Sequence, residues 1–159
     1  MSFDFTTYQA QALTTALPSA LTMDYLAPGL IAELGEVCGK RAKAVRDGWD
    51  TDRLNREVCA ELGDCLWFVA LIAHVTGRGL GDWQIDSFTT ADVQGGIRTA
   101  LPMLSSRDAE PLILAYLLAV VAREAEAHGS TLDAVAQANL DKLADRQARG
   151  VLGGSGDAR

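Results

Sequence analysis

Two stretches of the sequence decide the fold: Leu30-Ile-Ala-Glu33-Leu-Gly-Glu36 and Glu61-Leu-Gly-Asp64-Cys-Leu-Trp-Phe-Val-Ala70. A helix turns once every 3.6 residues, so the two acidic residues of each stretch lie one turn apart on one helical face. Apolar residues recur at helical spacing beside both pairs, which predicts two amphipathic helices that pack against each other. The sequence therefore predicts an all-α fold in which two acidic pairs face one crevice.

Carboxylates gathered in one crevice repel each other strongly unless a divalent cation lies among them. Oxygen ligands alone favour Mg²⁺, with Mn²⁺ as the alternative. The competing interpretation is a solvated helix face, in which Glu36 forms an ordinary ion pair with Lys40. Asp64 argues against it, because this residue directly precedes an apolar run, where an acid needs a partner. The candidate metal ligands and catalytic residues are therefore Glu33, Glu36, Glu61 and Asp64.

The order of these acids resembles a known motif. Glu33-x-x-Glu36 followed by Glu61-x-x-Asp64 is similar to the pattern of the MazG-like nucleotide pyrophosphohydrolases, and the segment that starts at Glu61 resembles that family's "ELGDVLWYLA". Asn139-Leu-Asp-Lys142-Leu-Ala-Asp-Arg146 resembles the family's later Asn-x-x-Lys-Leu-x-x-Arg helix. The ending, residues 149–159, resembles the tail of a bacterial and phage subgroup. Together the resemblance covers roughly residues 5–76 and 128–159.

The resemblance implies a helix bundle of the all-α NTP pyrophosphatase type, completed by oligomerisation. It implies hydrolysis of a nucleoside or deoxynucleoside triphosphate between the α- and β-phosphates, which gives the monophosphate and pyrophosphate. Mg²⁺ is the implied cofactor, and either Glu33 or Glu36 would position or deprotonate the attacking water.

Cations must be placed locally if an acidic protein is to bind a polyphosphate. Asn139, Lys142 and Arg146 lie on one face of a predicted helix, and an arginine can bind phosphate oxygens in a bidentate fork. Lys40 shares a helical face with Glu33 and Glu36. The candidate substrate-binding residues are therefore Lys40, Asn139, Lys142 and Arg146.

Three other functions compete with this interpretation. One is a non-catalytic helical scaffold or regulator with the same fold. Another is a phosphoribosyl-ATP pyrophosphatase, which uses similar acids. The third is a di-iron carboxylate bundle, which requires Glu-x-x-His motifs. Neither His74 nor His128 follows a glutamate by three residues, which disfavours the di-iron interpretation.

Composition indicates one soluble domain spanning residues 1–159. The formal net charge of −7 and the pI near 4.7 argue against nucleic-acid partners and against binding to anionic membranes. The N-terminus lacks the features of a signal peptide, and the uninterrupted apolar runs are shorter than a membrane span. We therefore expect a cytoplasmic protein. Its cysteines, Cys38, Cys59 and Cys65, lack metal-site spacing and are expected to be reduced core thiols.

The expected elements begin with a helix at residues 5–16 and a loop from Pro18 to Pro28. The first acidic helix is expected from near Pro28 to Arg46, and the second from about residue 52 to Thr76. Residues 77–110 depart from the family pattern and are read as an insertion with a short helix at 97–104.

Two more helices are expected after the insertion. One, at residues 112–128, is apolar on nearly every face of its 112–122 segment, which predicts burial in a homo-oligomer, a dimer or a tetramer. The other opens with a capping box at Ser130-x-x-Asp133 and ends at Gly150. Residues 150–159 are expected to form a flexible tail.

Overall fold

The computed structural model describes residues 4–79, 85 and 88–151. These residues form an all-helical bundle without any strand, which confirms the prediction of an all-α fold. The α-helices are α1 (Phe5–Thr14), α2 (Met23–Asp47), α3 (Thr51–Val75), α4 (Val93–Ala100), α5 (Met103–Ser106), α6 (Pro111–Ala127) and α7 (Leu132–Ala148). A short 3₁₀ helix, Pro18–Ala20, precedes α2. The part of the expected tail beyond Val151 lies outside the described residues.

Helices α2 and α3 form an αα-hairpin joined by a tight connection. Gly48 ends α2 with φ 66°, a left-handed conformation that glycine adopts without a steric penalty. Asp50 then caps α3, because its side chain accepts a hydrogen bond from the backbone N–H of Arg53. Both boundaries agree with the stop and start signals in the sequence. The hairpin brings the two acidic stretches together in antiparallel orientation.

The two helices approach closely at the end of the hairpin away from the turn. A Cβ atom at Gly29 would lie 2.2 Å from Cε1 of Phe68, so the aromatic ring occupies the space that a side chain on α2 would need. Further along, Leu30 and Leu34 of α2 and Leu62 of α3 are fully buried. This apolar seam fixes the position of the acidic residues of α2 relative to those of α3.

Helix α3 is the central element of the bundle and packs against α1, α2, α6 and α7. It is the one helix in the described ranges that is long and apolar enough to cross a membrane. However, 61% of its most apolar 18-residue window is buried inside the fold. Its apolarity is therefore that of a core helix, consistent with a soluble protein.

Helix α2 starts earlier than the sequence predicted. It begins at Met23, with Thr22 as its N-cap residue, and Pro28 lies inside it rather than at its first turn. The additional turn buries Leu26 and Ala27 completely. Burial of these side chains offsets the single backbone hydrogen bond that a proline removes near a helix start.

Two smaller expectations were also wrong. The N-cap residue of α7 is Thr131, whose side chain accepts from the N–H of Ala134, so the capping box predicted at Ser130 is not formed. Cys38 is exposed and is not a core thiol, whereas Cys65 is buried and Cys59 is partly buried. All three cysteines are unpaired, as expected.

Helix α6 does not need a partner chain to cover its apolar residues. Leu112 is 70% exposed, but the residues from Leu114 to Ala122 other than Tyr116 are buried within the single chain. Helices α3, α4 and α7 cover them. The segment formed by α4 and α5, which the sequence analysis read as one short helix, supplies part of this cover. Oligomerisation therefore cannot be inferred from the apolar character of α6.

A polar network fastens α4 to the rest of the bundle. Glu124 of α6 is buried, accepts a hydrogen bond of 3.2 Å from the N–H of Val93 at the start of α4, and forms an ion pair with Arg41 of α2. His128 contacts Arg41 through Nε2 and Asn55 through Nδ1. Burial and the neighbouring Arg41 lower the pKa of His128. Four helices therefore meet at this network.

We predict that Glu124→Ala lowers the free energy of unfolding by about 2 kcal/mol, because it leaves a buried N–H and a guanidinium without their acceptor. The matched control is Glu126→Ala on the same helix, which breaks only the exposed pair with Arg123 and should cost less than about 0.5 kcal/mol. Urea denaturation of both variants measures the difference. Equal losses would show that the network does not stabilise the bundle.

Candidate functional site

Three carboxylates meet where the two acidic stretches face each other. Glu33 extends from α2, and Glu61 and Asp64 extend from α3; one oxygen of each lies within 4.8 Å of the other two. The antiparallel register of the hairpin produces this arrangement, because it sets the acidic turn of α2 opposite the acidic turn of α3. Glu36 is exposed, lies outside this group of three, and lines the same cleft. All four predicted acids therefore belong to one site, in which three are clustered.

The cleft around these acids has a volume of about 540 Å³ and lies between α2, α3, α7 and the segment that joins α1 to α2. Three cationic side chains line the same cleft as the acids. Aromatic and apolar side chains line it as well. The lining residues that matter here are the acids Glu33, Glu36, Glu61 and Asp64, the cations Lys40, Lys142 and Arg146, and the aromatics Tyr25, Trp67 and Phe68.

Two lysines neutralise part of the acidic cluster. Lys40 Nζ lies 2.7 Å from Glu57 Oε2 and 3.1 Å from Glu61 Oε1, and the hydrogen bond that Lys40 donates to Glu57 raises the pKa of this lysine. Lys142 of α7 forms an ion pair with Asp64 Oδ1. The ordinary helical pair between Glu36 and Lys40 is therefore not formed, because Lys40 pairs with Glu57 and Glu61 of α3 instead.

The predicted substrate-binding residues of α7 do not all line the cleft. Lys142 and Arg146 line the cleft, and Arg146 forms no ion pair within the part of the chain that the structure describes. Asn139 is only 2% exposed and is absent from the lining of this cleft. Its carboxamide instead lies behind Asp64, to which it donates a hydrogen bond of 3.2 Å.

Glu33 is the acid that the cluster perturbs most clearly. Burial, followed by the charges of Asp64, Glu36 and Glu61, raises its pKa from 4.5 to about 7, whereas Lys142 acts in the opposite direction. A shift of this size means that the site resists a further negative charge at neutral pH. Such a site favours either a proton or a cation.

The cleft also has an aromatic wall, whose residues were not among the predicted site residues. Trp67 and Phe68 meet edge to face with their ring centroids 5.0 Å apart, and Tyr25 lies 5.9 Å from Phe68. Trp67 is held in place by a 3.0 Å hydrogen bond from its Nε1 to Thr15 Oγ1. Their position, one turn beyond Asp64 on α3, was the signal in the sequence that could have identified Trp67 and Phe68 as site residues. Asp24, by contrast, is exposed and pairs with Arg107 outside the cleft.

Comparison with known proteins identifies a similar phage protein. No family model matches the chain, and no solved structure matches it significantly. The chain is similar to the "Gene 37 protein" of Mycobacterium phage L5, at 29% identity over an alignment of 161 positions that covers 96% of each protein. The relative's name states no activity, so the similarity assigns none to this chain.

The raised pKa of Glu33 predicts a pH dependence of stability in the metal-free protein. Because the folded-state pKa of about 7 exceeds the ordinary value of 4.5, protonated Glu33 contributes stability that is fully present below about pH 4.5 and is lost as the pH rises through 7. Glu33→Gln cannot ionise, so it should gain melting temperature relative to the unaltered protein as the pH rises from 5 to 8 in excess chelator. Melting curves across this range measure the difference.

The control for this experiment is Glu126→Gln, which alters an exposed glutamate on α6 outside the cleft. Its melting-temperature difference from the unaltered protein should stay constant with pH. A constant difference for Glu33→Gln as well would contradict the proposed electrostatic strain at Glu33.

Proposed function

We propose that this chain is a MazG-like, metal-dependent nucleoside triphosphate pyrophosphohydrolase, which cleaves the bond between the α- and β-phosphates. The observation that carries the proposal is the convergence in one cleft of three clustered carboxylates, three cations and an aromatic wall. Each part suits one part of the substrate: acids for a metal ion, cations for phosphates, and aromatic faces for a base. We place the reaction in the cytoplasm, where nucleotides and Mg²⁺ are both available.

The donor set of the clustered acids fits a hard divalent cation. Glu33, Glu61 and Asp64 offer oxygen only, as Mg²⁺ and Mn²⁺ prefer. A cation among them would also relieve the repulsion that raises the pKa of Glu33. Once bound, such an ion would neutralise the phosphate oxygens and activate the attacking water.

The chain's own residues have separate tasks in this proposal. Arg146 binds oxygens of the β- or γ-phosphate in a bidentate fork, since it has no other anionic partner in the described ranges. Lys142 lies one turn away from it on the same helix. Trp67 and Phe68 offer an apolar wall for the base and exclude water from the cleft. Glu36 lies beside the clustered acids without joining them, which suits it to accept a proton from the attacking water.

We also propose that the protein acts as a homo-oligomer, a dimer or a tetramer. The described surface offers apolar side chains for such contacts, Leu101, Leu104 and Leu112, which are about half exposed or more and lie close together in sequence. Light scattering at micromolar concentration measures the mass in solution. A monomeric mass would contradict this part of the proposal.

The function is tested by incubating the pure protein with Mg²⁺ and a panel of canonical and modified NTPs, dNTPs and phosphoribosyl-ATP. Pyrophosphate and the nucleoside monophosphate should appear in equal amounts, and excess chelator should abolish both. Turnover of phosphoribosyl-ATP alone would identify the related activity instead. A folded protein that binds Mg²⁺ and hydrolyses none of these compounds would be a scaffold or regulator rather than an enzyme.

Conservative substitutions of the two glutamates on α2 separate metal binding from proton transfer. Glu33→Gln removes one member of the clustered group and should weaken Mn²⁺ binding by at least about tenfold. Glu36→Gln leaves that group intact, so Mn²⁺ affinity should change by less than about threefold while kcat falls by roughly a hundredfold or more. Calorimetric titration and steady-state kinetics measure the two quantities. Equal losses of Mn²⁺ affinity would make Glu36 a fourth ligand.

Arg146→Ala should lower kcat/KM for the triphosphate at least tenfold, which corresponds to about 1.5 to 3 kcal/mol of transition-state stabilisation. The control is Arg149→Ala, on the same helix end, which removes only an exposed pair with Asp145 and should change kcat/KM by less than about twofold. If both variants show the same small effect, the phosphates are bound elsewhere.

A further inference from the structure

A chain of two hydrogen bonds, one buried and one partly buried, runs behind the acidic cluster and links three helices. Tyr8 of α1 donates its hydroxyl hydrogen to Asn139 Oδ1 of α7 over 2.9 Å, and Asn139 Nδ2 donates to Asp64 Oδ1 of α3 over 3.2 Å. Tyr8 is 0% exposed, and it contributes nothing to the lining of the cleft. A polar side chain buried this deeply needs a partner, and here that partner holds a member of the acidic cluster.

The direction of both hydrogen bonds follows from the chemistry of the groups. An ionised carboxylate only accepts, so Asn139 must turn its amide nitrogen towards Asp64. This orientation points the carbonyl oxygen at Tyr8, which must then be the donor. Burial and the charge of Asp64 raise the pKa of Tyr8 well above its usual value, so the phenol keeps its proton at physiological pH.

Packing against α3 leaves the carboxamide of Asn139 little freedom. A Cβ atom at Gly63 would lie 3.0 Å from Asn139 Cβ and 3.2 Å from Nδ2, so the amide rests directly on the backbone next to Asp64. Asn139 and Lys142 both donate to Oδ1 of Asp64. Within the described ranges no donor reaches Oδ2, which leaves that oxygen unengaged.

We infer that Tyr8 is a positioning residue of the acidic site: it holds the Asn139 carboxamide in the orientation that binds Asp64 Oδ1, and Oδ2 is thereby kept for a divalent cation. This inference rests on the proposed function, because it assumes that the cluster binds a metal ion. Tyr8 touches neither the metal nor the substrate. Its effect on the acidic cluster passes through Asn139.

Mn²⁺ titration of the full-length protein tests the inference with Tyr8→Phe, which removes one hydroxyl and keeps the ring in the core. Mn²⁺ affinity should fall by about threefold to tenfold in Tyr8→Phe and by about tenfold or more in Asn139→Ala, since partners of metal ligands typically act on this scale. The double variant should bind as weakly as Asn139→Ala alone, because the two residues act through one contact. Tyr116→Phe, which removes a hydroxyl from α6 outside the cleft, should bind Mn²⁺ as the unaltered protein does.

A second measurement follows the hydrogen bond without any metal. The side-chain amide signals of Asn139 in the NMR spectrum of the metal-free protein should shift in Tyr8→Phe and exchange with solvent at least about tenfold faster. Unchanged Mn²⁺ affinity in Tyr8→Phe, an additional loss in the double variant, or unchanged Asn139 signals would each overturn the positioning role alone. Failure of the unaltered protein to bind Mn²⁺ would overturn the proposed function, and the positioning role with it.

Discussion

Electrostatic repulsion among Glu33, Glu61 and Asp64 is the constraint around which this bundle is arranged. The acids cannot move apart, because the apolar residues that alternate with them along α2 and α3 are fully buried in the seam between the helices. Hydrophobic burial therefore holds like charges together at a cost in electrostatic free energy. The raised pKa of Glu33 is the visible consequence. Strain of this kind is typical of sites that bind or transfer charge rather than of surfaces that only face solvent.

The rest of the molecule supports that seam from both sides. Helices α1 and α7 pack on one side of α3 and bring Tyr8, Asn139 and Lys142 to Asp64. On another side, α6 packs against α3, and α4 packs against both α2 and α6. Buried Glu124 of α6 connects this side to α2 through its ion pair with Arg41. No buried side-chain nitrogen or oxygen among the described residues lacks a partner. The site thus lies on rigid helices whose own polar groups are satisfied, which allows the clustered acids to keep their geometry.

The sequence predicted those features that depend on local spacing. Helical periodicity gave the all-α class, and the glycine and aspartate at Gly48 and Asp50 gave the turn between the acidic helices, because both signals act within one helical turn. The start of α2 was missed because burial of Leu26 and Ala27 outweighs the tendency of Pro28 to open a helix. The sequence also could not show that α4 covers α6, since that contact joins residues distant in the chain. Likewise, no local pattern reveals that Tyr8 reaches Asn139 across the bundle.

The same separation between local and long-range information applies within the site. The acids of α2 and α3 could be identified from spacing alone, yet the assignment of Lys40 to Glu61 and of Lys142 to Asp64 depends on how three helices pack. Both lysines line the cleft where phosphates would enter. A divalent cation that binds the acids would weaken both ion pairs, because the carboxylate charge is then shared with the ion, and would make the two ammonium groups more available to phosphate. Under the proposed function, metal binding would therefore increase the positive charge available to the substrate by more than the charge of the ion, and the affinities for metal and triphosphate would rise together.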